Sequence, residues 1–448
     1  MTEGAKATER PTPSSDHHVA AGPVDEVDPV DPVDAVDTTG ASRRNTAVLV
    51  AFTTVTNLAD GVMKIALPLV ATSLTESPAL ISGVAMSLSL PWLLSALHIG
   101  VLVDRVDRRK LVWLANGIQV LVGGALLALA VTDLLNLPVI YACGAALGIA
   151  EVIAGTSAAA LVPDVVAVSG RERANALVAG AETVCLEFVG PFVGGLLVGV
   201  GVSFALGATL VGYVLTAAVL VLLVYRYRPA TASGGAAAAP SVRAQIGEGL
   251  GFLFRHRLLR MLAAVVTVLG SCWGAWFALM PLYATGAMGL TSADYGLLVG
   301  ALGIGGVAGS LVVGRFNRLF GRRWAMMINI FLTGAMMAAP ALSTDRWAVG
   351  CAALLGGMGG TLWTVNVRTV MQTLVPSTMM GRFGAVFRLF AFGSGPVGAG
   401  VAGALAEWFS APTAMAAFAI ACLLAFLPLA RVFTAAVEAD LDNLLRQP

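Results

Sequence analysis

The chain has 448 residues, of which 57% are hydrophobic and only 12% charged, against roughly 25% charged in soluble globular domains. Its 27 basic and 26 acidic residues leave a net charge of +1, which excludes the basic footprint that nucleic-acid binding requires. Nine of the acids fall in the first 40 residues, so the body of the chain is poorer still in charge, is not an ordinary soluble enzyme, and must turn its apolar surface to lipid.

Residues 1–46 alternate valine with acid in the stretch VDEVDPVDPVDAVD and cannot bury enough apolar surface to fold, so a disordered acidic cytoplasmic tail is expected there. The first apolar run begins near Ala47 with no cleavage pattern after it, which argues against a secretory signal. From that point twelve apolar segments follow, each about 20 residues long, the length that crosses roughly 30 Å of hydrocarbon. Six fall in residues 47–225 and six in 258–433, with the fifth and sixth separated only by the short break GVGVSF around Ser203. An all-α membrane protein of twelve transmembrane helices in two six-helix halves is predicted.

The halves are joined by residues 226–257, which open with the flexible run TASGGAAAAP. The rest of that segment sets arginines among Ile246, Leu250, Leu253 and Phe254, a pattern that suits an amphipathic helix on the membrane face or a solvated connector. Residues 434–448 form a second cytoplasmic tail. With residue 1 in the cytoplasm, 21 of the 27 basic residues lie on that side and the opposite loops hold only Arg346. This asymmetry predicts a multi-pass plasma-membrane protein with both termini in the cytoplasm.

Cys143, Cys185, Cys272, Cys351 and Cys422 each sit in a different apolar run, with no CxxC pair and few histidines, so neither a disulfide framework nor a metal site is expected. No G-x4-G-K-[ST] loop is present to cradle a nucleotide, and no cofactor is expected.

Two loop positions carry the same frame, G-x7-R-R. The first runs from Gly100 through Asp104, Arg105 and Arg108 to Arg109, and the second from Gly314 through Arg318 to Arg322 and Arg323. Gly190, Pro191, Gly194 and Gly195 in the fifth span recur as Gly395, Pro396 and Gly398 in the eleventh. Such recurrence is expected of parallel transporter repeats. On these motifs, together with ALPLVATSLTESP after Asp60, RERANAL before the fifth span and LVPSTMMGRFGAVFRL from Leu374, the chain resembles the major facilitator superfamily. Within it, the likeness is to the branch of macrolide-efflux and enterobactin-export proteins, over about residues 44–433. The resemblance implies that the first loop is a cytoplasmic signature and that the fifth span is of the antiporter type. The second loop departs from the pattern, because Arg318 stands where an acid is expected.

Asp104 is placed to latch the cytoplasmic side when it closes, with Gly100 permitting close helix approach, while Arg105, Arg108 and Arg109 set topology or join the gate, as do Gly314 and Arg322 in the second copy. Ionisable groups inside apolar spans are functional candidates by default. These are Asp60 and Lys64 in the first, Glu151 in the fourth, and Glu182 and Glu187 in the fifth. Asp60 and Lys64 share a face at i, i+4, where an internal ion pair would account for both. Glu151 and Glu187 have no such neighbour and are the first candidates to load and release a proton or bind a cation, whereas Glu182 lies closer to the cytoplasmic end, within reach of Arg388. Gly190, Pro191, Gly194, Gly195, Gly395 and Pro396 form a helix-packing hinge, and Trp276 and Trp363 are candidates to line a cavity.

The expected activity is proton-coupled export of a bulky amphipathic small molecule, a macrolide, other drug or siderophore, by a protein acting as a monomer in the lipid bilayer, with no nucleic-acid partner. The alternatives are a proton-coupled uptake symporter of the same fold and a polytopic membrane enzyme.

Overall fold

The computed structural model describes residues 32–167, 170–223, 242–376 and 379–446. Fifteen helices follow in chain order, with no strand among the described residues: α1 Pro32–Thr72, α2 Pro78–Arg105, α3 Arg108–Val131, α4 Leu137–Val165, α5 Arg171–Val184, α6 Gly190–Val200, α7 Val202–Val221, α8 Val242–Arg255, α9 Arg257–Thr285, α10 Ser292–Leu342, α11 Arg346–Leu374, α12 Met380–Trp408, α13 Ala411–Leu424, α14 Phe426–Val432 and α15 Ala435–Arg446. A π-helical turn, Cys185–Val189, joins α5 to α6, so the two make one continuous span.

Polar breaks between the apolar runs become helix caps. Ser77 accepts from the Leu80 amide ahead of Pro78, Asn136 does the same for Val139 ahead of Pro138, and Thr291 with Asp294 forms a reciprocal capping box. Eleven helical stretches among the described residues are long and apolar enough to cross a membrane. One of them, α10, has 51 residues and turns at Gly321, where φ is 83°, a left-handed value that glycine adopts without a Cβ clash. It therefore supplies two crossing legs, and the spans number twelve. The short break near Ser203 narrows to one residue, Gly201, between α6 and α7.

Three segments outside the twelve spans are helical. The first helix begins at Pro32, inside the stretch expected to be a disordered tail, while residues 1–31 lie outside the described residues. The amphipathic part of the linker is α8, which packs on α12: Gly249 meets the Arg382 backbone and Val386, and Glu248 pairs with Arg382. Residues 224–241, which include most of the flexible run, lie outside the described residues. The C-terminal tail is α15, which buries Leu441 in the core of the α9–α14 half.

The α9–α14 half packs around one large cluster and the α1–α7 half around two smaller ones. Since lipid is as apolar as leucine, helix association in a membrane relies on close packing at small residues, and the glycines show it. Gly61 of α1 meets Gly190 and Pro191, and at the matching place in the second half Gly274 of α9 meets Gly395 of α12.

Candidate functional site

Thr53, Thr56, Asn57, Asp60 and Lys64 recur every three or four residues and share the inner face of α1. Asp60 is only 6% exposed. Its Oδ1 accepts from the Tyr213 hydroxyl at 2.8 Å, and the Gln119 Nε2 amide stands 3.0 Å from Oδ1 and 3.2 Å from Oδ2. Lys64 does not pair with Asp60, four residues away. Its ammonium lies 2.8 Å from Oε1 of Glu187 in the π turn, because Tyr213 and Gln119 already hold Asp60 on the α3 and α7 side. Glu187 thus has a partner that sequence neighbours did not reveal. Glu151 has one too: the Trp92 indole N–H donates to its Oε1 at 3.0 Å.

Asp60, Glu151 and Glu182 line one cavity with Phe52, Thr56, Asn57 and Trp92. Glu182 feels the charge of Arg388 on α12, as its position near that end suggested, but among the described residues the two are not in direct ion-pair contact. Among the described residues of α1–α7, four carboxylates gather around one ammonium, Lys64, with Arg388 acting on Glu182 from α12. Charge this poorly matched in a bundle interior is suited to bind a cation or to exchange protons. Trp276 and Trp363 do not join the cavity. They are buried in the α9–α14 core at 0% and 4% exposure, Trp276 edge-on to Phe277.

Pro191 has no amide hydrogen, so the preceding turn cannot keep its regular ladder. It widens into the π form, with the Gly190 amide bonded five residues back to the Cys185 carbonyl. Gly190 and Gly194 then press on α1, and Gly195 on Gly296 of α10 in the other half. The described close approaches between halves run from mid-span, where Trp92 stacks on Phe392 and Phe188 covers Gly303 and Gly306, to Gly195 on Gly296 and Ser77 bonded to Glu407. None of these lies nearer than mid-span to the end that carries Arg108, Arg171 and Arg323, hereafter the basic end.

At the basic end the first loop is tied within its own half. Arg108 lies 2.6 Å from Asp164 of α4 and donates to the Ala160 carbonyl, while Asp107 caps α3 through the Arg109 amide. The side chains of Asp104 and Arg105 lie outside the described residues. Gly100 was expected to permit close helix approach, yet a Cβ there, or at Gly314 in the second copy, would meet nothing within 4 Å. Neither glycine is therefore in a close helix contact in this structure.

The second loop holds a feature the sequence reading missed. Glu438 of α15 lies against Gly321 and accepts from the Arg323 amide at 3.0 Å, while Arg323 Nε donates to the Phe433 carbonyl at 2.6 Å. An acid thus reaches this loop from the C-terminal helix, although Arg318 occupies the acid's place in the motif. Gln119 and Tyr213 were missed as well. A signal did exist for Gln119 and Asn116, polar residues in the middle of an apolar span.

The chain matches the Major Facilitator Superfamily over residues 49–396, with an overlapping match over 284–444. It is 28% identical over 379 residues to the multidrug efflux pump Tap of Mycolicibacterium fortuitum, covering 82% of this chain and 90% of that one. To the enterobactin exporter EntS of Salmonella typhimurium it is 28% identical over 325 residues, covering 68% and 72%. Among solved structures, the nucleoside transporter NupG superposes with a TM-score of 0.62 at 14% identity, covering 87% of this chain and 99% of that one. A bacterial homolog of the human lysosomal transporter Spinster gives 0.62 at 14% identity, covering 90% and 97%, and both likenesses are of fold. A twelve-span bundle whose two halves repeat the same glycine contacts, matched along most of its length, belongs to the Major Facilitator Superfamily.

Proposed function

We propose that this transporter is a proton-coupled exporter, an antiporter of a bulky amphipathic small molecule such as a macrolide, another drug or a siderophore. In this reading it works as a monomer in the plasma membrane, with the basic end and both termini in the cytoplasm. The observation that carries it is the cavity inside the α1–α7 half that gathers Asp60, Glu151 and Glu182, carboxyl groups set amid apolar helices. A substrate would enter that cavity from the cytoplasm or inner leaflet. Reclosure at the basic end would then expose the acids to the outside, where a proton taken up in exchange resets the carrier. Export by the relatives Tap and EntS supports the direction. The excess of acids favours neutral or cationic substrates over polyanions.

The test is accumulation of labelled candidate drugs and siderophores in inverted membrane vesicles under an imposed pH gradient. Accumulation that collapses with a protonophore is expected. Accumulation indifferent to the gradient would overturn proton coupling, and gradient-driven uptake into whole cells would replace the exporter with a symporter.

A further inference from the structure

Gln119 is completely buried, and its two amide atoms have unequal surroundings. Its Nε2 faces both oxygens of Asp60, whereas its Oε1 meets no hydrogen-bond donor. This orientation suits an ionised carboxylate, which accepts only. The Tyr213 hydroxyl already occupies Oδ1, so a proton arriving from the cavity would settle on Oδ2, which shares the Gln119 Nε2 amide with Oδ1 at 3.2 Å against 3.0 Å. An O–H there would point at an N–H. Two donors cannot bond each other, and the amide has its unused acceptor on the other side.

We infer that Gln119 is a positioning residue that reads the protonation state of Asp60 by reversing its amide. It donates through Nε2 to the ionised carboxylate and accepts through Oε1 from the protonated one. The inference rests on Asp60 being a proton-exchanging group of the proposed antiporter. In the forward step water delivers a proton to Oδ2, an O–H bond forms, the carboxylate becomes neutral, and a half-turn about the terminal torsion of Gln119 presents Oε1 to it. The reverse step returns the proton to cavity water.

Each state leaves a different orphan at the contact of α1, α3 and α7: an acceptor when Asp60 is ionised, the amide donors when it is neutral. Asn116, one turn from Gln119, ties α3 to the Tyr213 carbonyl at 3.0 Å, so the amide turns against a fixed frame. Gly61, the residue after Asp60, rests on Gly190 at the π turn, which places the hinge one residue from the reversing contact. The other charged or titratable groups around Asp60 are Lys64 on its own helix, Glu151 on α4, Glu182 on α5, Glu187 in the π turn and Tyr213 on α7. On α3 the facing groups are the neutral Asn116 and Gln119.

The experiment is infrared difference spectroscopy on the full chain in liposomes while the pH is stepped, with glutamine isotopically labelled at its side-chain carbonyl. Protonation should raise a carboxylic-acid band that Asp60→Asn lacks. In step with it, one labelled glutamine carbonyl should move to the lower frequency of a newly bonded acceptor. That movement should vanish in Asp60→Asn and in Gln119→Met but persist in Tyr213→Phe. Gln119→Met, which removes a donor to the charged form, should move the midpoint of the carboxyl band upward by about one pH unit, a tenfold gain in proton affinity. A purely structural role would leave that midpoint in place.

An Asp60 band that titrates while no glutamine carbonyl moves would overturn the inference and leave proton coupling standing. So would an unchanged midpoint in a folded Gln119→Met. No Asp60 band anywhere between roughly pH 5 and 9, a range that brackets the shifts buried carboxyls reach, would overturn the inference through its premise. Failure of the proton gradient to drive export, with the glutamine movement intact, would overturn the exporter reading alone. If Gln119→Met does not fold, the comparison of the native chain with Asp60→Asn still decides.

Discussion

Lys64 can reach a carboxylate on its own helix, Asp60, yet its ammonium goes to Glu187 across to the π turn. Asp60 meanwhile is held by two neutral donors, Tyr213 and Gln119. The two acids are therefore in different chemical situations: Glu187 is matched by a cation, and Asp60 is free to change charge without breaking an ion pair. Removing Lys64 should strand Glu187. Lys64→Met and Glu187→Gln should each lower thermal stability of the purified protein, and the double variant should recover much of the loss. The pair is about a third exposed on each side, so the coupling expected from a double-mutant cycle is about 1 kcal/mol, well below that of a fully buried pair. Additive losses would show that the contact is incidental.

Among the elements, the fifth span is where local chemistry reshapes a helix. Pro191 withdraws a donor and the π turn absorbs the mismatch. That rotation brings Gly190 and Gly194 onto α1 and Gly195 onto Gly296 of the other half. Even one methyl at Gly195 would collide with the α10 backbone, so Gly195→Val should prevent closure on the side opposite the basic end. A cysteine placed at Ser77, in a chain with the exposed Cys351 replaced, should then react with an impermeant thiol reagent on the order of tenfold faster, the factor produced by a shift of about 1.4 kcal/mol. Helix α15 makes a separate case. Glu438 braces the Gly321 turn, and Glu438→Ala should release the helix, raising hydrogen exchange of its amides by about tenfold for the loss of a charge-assisted hydrogen bond. Unchanged exchange would mean that Leu441 alone holds α15 in place.

At the scale of the whole molecule, the described glycine contacts between the halves lie from mid-span to one end, and the basic loops gather at the other. Placing that end in the cytoplasm follows from charge asymmetry and has a direct check. Reporter fusions at residue 234 and after the C-terminus should both read cytoplasmic. An outside signal at residue 234 would place the basic end outside and overturn the proposed orientation.

The membrane class, the positions of the spans and the recurrence of the glycine motifs were legible in the sequence, because span length, hydropathy and spacing are properties of the chain taken one residue after another. Asp60, Glu151 and Glu182 could be picked out on the same ground, since a carboxyl group amid apolar residues is conspicuous wherever the helix later turns. Their partners could not. Whether Lys64 meets Asp60 or Glu187, and whether Trp276 faces a cavity or the core, depends on how each helix is rotated about its axis, and a fully apolar span has little amphipathic contrast to record that rotation. The docking of Glu438 on the Gly321 turn was hidden for a related reason: a short polar segment gains order only from the surface it packs against. The tertiary structure decided these points because they are contacts between segments far apart in the chain, set by the close packing of glycine faces and by a π turn that the sequence marks only with Pro191.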